Sequence, residues 1–225
     1  MRLKTLGVLM LDTTFERIVG DIGNPASFEM PVLFKTVNGA TVDRIVKEQD
    51  RNLIEPFIEA AKELEKEGVS AITTSCGFLA MFQKEISREV EVPFYSSSLM
   101  QIPLVHAITG GPLGVLTARK QSLTENHFRS VDAHDAVKVV YGMDDMHAFT
   151  SAIVDQTKPL DKEAIEAEMV AIAKQMYHDH PEIKAIVLEC TNMPPYKQAI
   201  QAAVNLPVYD IFSLTDFVFS SLPQE

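Results

Sequence analysis

The chain is short of cysteine and of positive charge. It has two cysteines in 225 residues, so one disulfide is the ceiling, and in a cytoplasmic chain a structural bridge is not expected. Two cysteines do not build a zinc site alone, and His106, His127, His134 and His147 lack metal-ligand spacing, so no metal is expected. The cluster His178-Asp179-His180 reads as a solvated helix end, where histidines suit the negative pole of the helix. Lysine and arginine number 20 against 31 acidic residues, a net charge of −11. That balance argues against nucleic acid and acidic membranes as partners. A small anionic ligand stays compatible, because backbone amides at helix starts bind carboxylates whatever the overall charge. No apolar run approaches the roughly 20 residues that span a bilayer. The first residues, MRLKT, lead into a strand-like segment without a signal-peptide core, so a cytoplasmic protein is expected. Low-complexity stretches and Gly/Ser linkers are absent as well. The segment GDIGNP at residues 20–25 has glycines without the spacing of a phosphate-binding loop. It reads either as a lid over a cleft or as a surface turn.

What the chain does contain is a repeat built around its two thiols. The hexapeptide AITTSC at residues 71–76 returns as AIVLEC at residues 185–190, an offset of 114. In the same register Pro93 meets Pro207 and Tyr95 meets Tyr209. A second echo, Gly7-Val8-Leu9 with Gly114-Val115-Leu116, has an offset of 107, so the halves differ by a short insertion. Two α/β lobes follow, residues 1–108 carrying Cys76 and residues 109–225 carrying Cys190, with terminal segments free to exchange between them. Short continuous apolar runs predict buried strands at residues 6–11, 31–37, 69–75, 92–95, 113–116, 137–141, 183–188 and 208–212. Helical spacing predicts helices at 53–67, 77–90, 120–131, 160–177, 194–204 and 213–222. Strands alternating with helices imply a parallel sheet in each lobe, flanked by helices, with the active site in the cleft between lobes.

Ligands of open parallel sheets bind beyond the carboxyl ends of the strands, and each cysteine ends a predicted strand and precedes a predicted helix. A helix start lowers a thiol's pKa and favours the thiolate. The alternative is a small buried hydrophobe, the common fate of free cysteine. Two thiols at matching strand ends favour function. Asp12 ends the first strand at the same edge, as a base, an orienting group or a turn residue. Thr117, Thr191 and Asn192 stand where they either contact ligand or cap the next helix. Strand alternation sends the Glu189 side chain away from Cys190, into a structural role or a subunit interface.

At these residues the chain resembles the aspartate/glutamate racemase superfamily, which also holds hydantoin racemases, arylmalonate decarboxylases and maleate isomerases. The resemblance covers essentially the whole chain. Its most specific parts are Cys76, VLECTNMPPY around Cys190, Asp12 and GVLTA at residues 114–118. It implies a cofactor-independent racemase or epimerase of a small carboxylic acid, an amino acid or derivative, with Cys76 and Cys190 exchanging protons on opposite faces of one carbon. Asp12, Gly77, Phe78, Thr117, Thr191 and Asn192 would line the substrate. Cofactors are not expected, and a homodimer is, since the apolar residues 217–222 suit a subunit contact. Three departures stand out: Gly77-Phe78 where amino-acid racemases usually carry Asn-Thr, Glu189 where they carry Gly, and Asn192 where they carry His or Glu. Maleate-type isomerisation and arylmalonate-type decarboxylation are the sister chemistries. A non-catalytic small-ligand sensor is the reading from another class, and a dithiol redox protein ranks last.

Overall fold

The computed structural model describes residues 4–223. Two four-stranded, all-parallel sheets form its frame. The first half holds β1 (Leu6–Met10), β2 (Val32–Thr36), α1 (Ile54–Lys66), β3 (Ala71–Thr74), α2 (Gln83–Ile86), β4 (Phe94–Tyr95) and α3 (Ile102–Thr109). The second holds β5 (Leu113–Thr117), α4 (Glu125–Ser130), β6 (Val137–Gly142), α5 (His147–Phe149), α6 (Lys162–Asp179), β7 (Ala185–Leu188), α7 (Lys197–Val204), β8 (Val208–Tyr209) and α8 (Ile211–Ser221). Strand order is β2-β1-β3-β4 in one sheet and β6-β5-β7-β8 in the other, the same winding twice. Leu6 pairs with Ala71 as Leu113 pairs with Ala185. The two sequence offsets therefore meet in one register, and the extra residues lie between the first and third strand of the second half.

The inner strands are buried throughout and mostly apolar because helices cover both faces of each sheet, with Thr73, Thr74 and Thr117 the polar exceptions near their carboxyl ends. All five residues of β1 and all five of β5 are buried. Helix α8 packs Ile211, Leu214 and Phe219 against Leu6, Val8 and Ala71 of the first sheet, although it ends the chain. It leaves Phe217 exposed.

Several expected helices are interrupted where local hydrogen bonds compete. The helix expected over 77–90 is a tight 3-10 turn from Gly77 to Phe82 followed by the short α2. The helix expected over 120–131 breaks at Thr124, whose side chain accepts the His127 amide while His127 Nδ1 accepts the Thr124 amide. This reciprocal cap starts α4 afresh. At the last strand, Asp210 accepts the Ser213 amide at 2.9 Å, so the chain turns into α8 two residues earlier than its apolar pattern suggests.

One symmetric feature went unread in the sequence. Asp43–Lys47 and Thr150–Val154 each form a single π-helical turn, again 107 residues apart. Each is followed by a glutamine with φ of 53°, Gln49 and Gln156. A left-handed conformation is uncommon outside glycine. Both side chains reach into the opposite half: Gln49 Nε2 donates to the Ser122 carbonyl at 3.0 Å, and Gln156 Oε1 accepts the Thr14 amide at 2.8 Å. The two π turns thus face each other over the cleft, tied down from both sides.

Candidate active site

The strand order places β1 beside β3 and β5 beside β7, and the chain segments leaving these four strands converge. They enclose a cavity of about 440 Å³, mouth included. Leu11, Thr13, Phe15 and Arg17 come from the segment after β1, and Ser75, Cys76, Gly77 and Phe78 from that after β3. Ala118 follows β5, and Glu189, Cys190 and Asn192 follow β7. Val42, just before one π turn, Val46 within it, and Ile153 and Val154 from the other close the apolar roof.

Of the residues read from the sequence, Cys76, Gly77, Phe78, Cys190 and Asn192 meet at this cavity. Asp12 does not: it is exposed, and its Oδ2 accepts the Gly39 amide at 3.0 Å. The strand ends one residue early for its side chain to enter the cleft. Thr191 turns its hydroxyl to the Ser75 carbonyl at 2.6 Å, tying the two thiol-bearing strand ends together. Thr117 is fully buried behind the wall, donating to Glu189 Oε2 at 2.7 Å. The loop at residues 20–25 is no surface turn at its centre. Asp21 and Ile22 are buried, and the Ile22 amide donates to the Thr191 carbonyl at 3.3 Å.

Three groups on or just behind the cavity wall escaped the sequence reading. Arg17 Nη1 donates to Asp21 Oδ1 at 2.8 Å, and its Nη2 to Thr13 at 2.9 Å. Asp21 Oδ2 in turn accepts Asn192 Nδ2 at 2.6 Å. With its amide nitrogen so engaged, Asn192 presents Oδ1 to Cys190, whose thiol donates to it at 3.4 Å. Arg17, Asp21, Asn192 and Cys190 form one chain of contacts from a cation to a thiol. The third group is Glu189. Strand alternation was expected to turn it away, but β7 ends at Leu188, so alternation no longer applies. Its side chain is fully buried, lines the cavity and leaves Oε1 without a hydrogen-bond partner.

The two thiols have different surroundings. Burial pushes the Cys76 thiol up, and nearby Glu189 pushes it further, while the amides of Phe78 and Leu79 and the charge of Arg17 pull it down. Burial and Glu189 also push Cys190 up, opposed by the Asn192 amide. Only Cys190 also faces an oriented acceptor, and that arrangement suits a protonated thiol. Burial raises the Glu189 carboxyl from 4.5 to about 7, against the bonds from Thr117 and Ala118. Between those values the folded protein holds a proton that the unfolded chain has released. The carboxyl's contribution to stability is therefore complete below 4.5 and lost as pH climbs through about 7. Glu189→Gln is expected to flatten that stretch of the stability curve. Denaturant unfolding of both proteins from about pH 5 to pH 8 measures it, and parallel curves contradict it.

Fold and cavity together define an enzyme of the two-lobed α/β class with a thiol from each lobe in its cleft. Residues 101–215 match the family described as Asp/Glu/Hydantoin racemase, and the chain belongs to that family. Among curated proteins it is 37% identical over 222 residues to a dimethylsulfoniopropionate lyase of Durusdinium sp. clade D, covering 95% of this chain and 73% of that protein. It is 30% identical over 230 residues to dimethylsulfoniopropionate lyase 7 of Emiliania huxleyi, covering 97% of this chain and 67% of that one. Among solved structures, a glutamate racemase from Bacillus anthracis superposes with a TM-score of 0.60 at 14% identity, over 96% of this chain and 82% of that one. The family expectation holds, while the expectation of an amino-acid racemase finds no support in the two curated relatives, which are lyases. No helix among the described residues is long and apolar enough to cross a membrane.

Proposed function

We propose that this chain is a lyase that eliminates dimethyl sulfide from dimethylsulfoniopropionate or a close β-sulfonium carboxylate. The observation that carries the reading is the 37% identity to the Durusdinium lyase across 95% of the chain. The geometry supports the chemistry such a reaction needs. The hydrogen next to a carboxylate is a very weak acid, and a dry cavity with a positioned base and nearby donors lowers the barrier to removing it. In the proposed step, the Cys76 thiolate takes the proton from the carbon bearing the carboxylate. The electron pair left behind forms the double bond to the neighbouring carbon, and the bond from that carbon to sulfur breaks. Dimethyl sulfide departs neutral and acrylate remains.

Cys76 is the base in this account because, although burial and Glu189 push its thiol up, the amides of the turn that follows it and Arg17 pull the other way, and it faces no oriented acceptor that would hold its proton. The substrate's sulfonium charge adds to that stabilisation. Cys190 stays protonated, facing Asn192 Oδ1. Since the sulfide leaves without a proton, no acid is required at the leaving group. Arg17 supplies the positive charge for the substrate carboxylate from the cavity wall. The apolar side chains of Val42, Val46, Ile153 and Val154 exclude water above it.

A second reading keeps one specific observation in its favour: both thiols reach the same cavity, which a two-base racemase requires. Headspace analysis of the purified protein with dimethylsulfoniopropionate separates the two. Dimethyl sulfide and acrylate in equal amounts support the lyase. Their absence, with α-deuterium entering an amino acid or hydantoin in heavy water, supports the racemase.

A further inference from the structure

Among the described residues Glu189 is the one acidic group on the cavity wall, and the protein leaves half of it unanswered. Its Oε2 is bonded by Thr117, with the Ala118 amide adding a second donor to the carboxylate. Its Oε1 is buried against Gly77 and meets no donor, and Glu189 is among the residues that line the cavity. Arg17, the cation on the same wall, bonds Asp21 and Thr13 rather than Glu189. A buried carboxylate without a counter-charge is costly; the free protein meets that cost by holding a proton on Glu189, and a cation in the cavity would meet it instead. The neighbouring Gly77 shows that room was made for this group: a Cβ there would collide with the Glu189 carbonyl oxygen and Oε1.

We propose that Glu189 is the specificity-determining residue for the onium centre of the substrate, its Oε1 serving as counter-ion to a cation that carries methyl groups instead of N–H bonds. The proposal rests on the lyase reading and names the group that recognises the sulfonium. The walls around Glu189 select the kind of cation. A primary ammonium brings three donors and needs three acceptors. Leu11, Val42, Val46, Phe78, Ile153 and Val154 offer it none from their side chains, and the polar groups elsewhere on the lining are already engaged, Thr13 by Arg17, Ser75 by the Leu11 amide and Asn192 Oδ1 by Cys190. Two or three methyl groups on a sulfonium or quaternary nitrogen instead pack against those side chains, with the Phe78 ring adding attraction for the cation. The permanent charge, having no proton to lose, stays opposite Oε1 throughout binding.

Two isosteric ligands isolate the charge: 3-(trimethylammonio)propionate, and 4,4-dimethylpentanoate, in which carbon replaces the charged nitrogen. Calorimetry gives their dissociation constants with wild type and with Glu189→Gln, and dimethyl sulfide release from dimethylsulfoniopropionate is scored on the same wild-type preparation. Glutamine keeps an acceptor for Thr117 and Ala118, and unchanged binding of the neutral ligand shows that the cavity is intact. The wild type is expected to prefer the onium ligand by about 30-fold or more, and the variant to lose most of that preference. Equal affinities in the wild type, or a preference that survives in Glu189→Gln, overturn the assignment. A wild type that releases dimethyl sulfide while the preference survives sinks this inference alone. A wild type that releases none while the preference vanishes in the variant sinks the lyase reading and upholds the onium site.

Discussion

Cys76→Ala is expected to lower turnover of dimethylsulfoniopropionate by about 1000-fold, with little change in KM. The base disappears, while Arg17, Glu189 and the apolar roof that hold the substrate are untouched. Cys190→Ala is expected to cost much less, about 10- to 100-fold. That thiol takes no part in proton abstraction, but its loss leaves Asn192 Oδ1 unpartnered beside the reacting atoms. The inequality follows from the leaving group. A racemase must return a proton to the opposite face of the same carbon, so it needs both thiols equally. An elimination that expels a neutral sulfide needs one. Steady-state kinetics of the two variants decides it, and equal, near-complete loss in both would point to a two-base mechanism.

Gly77→Ala is expected to damage stability and activity together. Gly77 has no special backbone angle to explain it; the reason is contact. A methyl group at this position meets the Glu189 carbonyl oxygen and carboxylate, both fixed in the segment that carries Cys190. Overpacking of this kind costs about 1–3 kcal/mol. For a chain of this size that lowers the melting temperature by roughly 2–12 °C. Relief requires the two thiol-bearing segments to part, and a displacement of about 1 Å at a reacting centre can cost about 100-fold in rate. Thermal melts and kinetics on the same preparation test both halves. A variant with wild-type kcat and melting temperature would show that Glu189 yields freely, which its buried bond to Thr117 argues against.

The frame was legible in the sequence because its inner strands are buried on both faces and therefore mostly apolar, with threonines only near their carboxyl ends. Once AITTSC and AIVLEC are aligned, the two sheets and the thiols at their edges follow. The same logic failed one residue further on. Alternation sent Glu189 away from the cleft, but alternation ends with β7 at Leu188, and Glu189 already belongs to the turn. Asp12 failed for the related reason that a strand end does not say which way the next side chain points; a bond to the Gly39 amide decided it. Arg17 and Asp21 were hidden because their partners Thr13 and Asn192 are brought together only by the fold. The one local signal was the four-residue spacing of Arg17 and Asp21 before a glycine-bearing turn. The paired π turns left no periodic trace in either half, although the left-handed Gln49 and Gln156 stand at the repeat's own offset of 107.

The central claim is that the thiol-lined cavity expels a sulfide from a β-sulfonium carboxylate. Proton NMR of the purified protein in heavy water, with dimethylsulfoniopropionate, aspartate, glutamate and a hydantoin together in one tube, tests it most directly. The account predicts dimethyl sulfide and acrylate rising one for one, with the amino-acid and hydantoin α-protons intact. Deuterium entering one of those α-positions while dimethylsulfoniopropionate stays whole would contradict it.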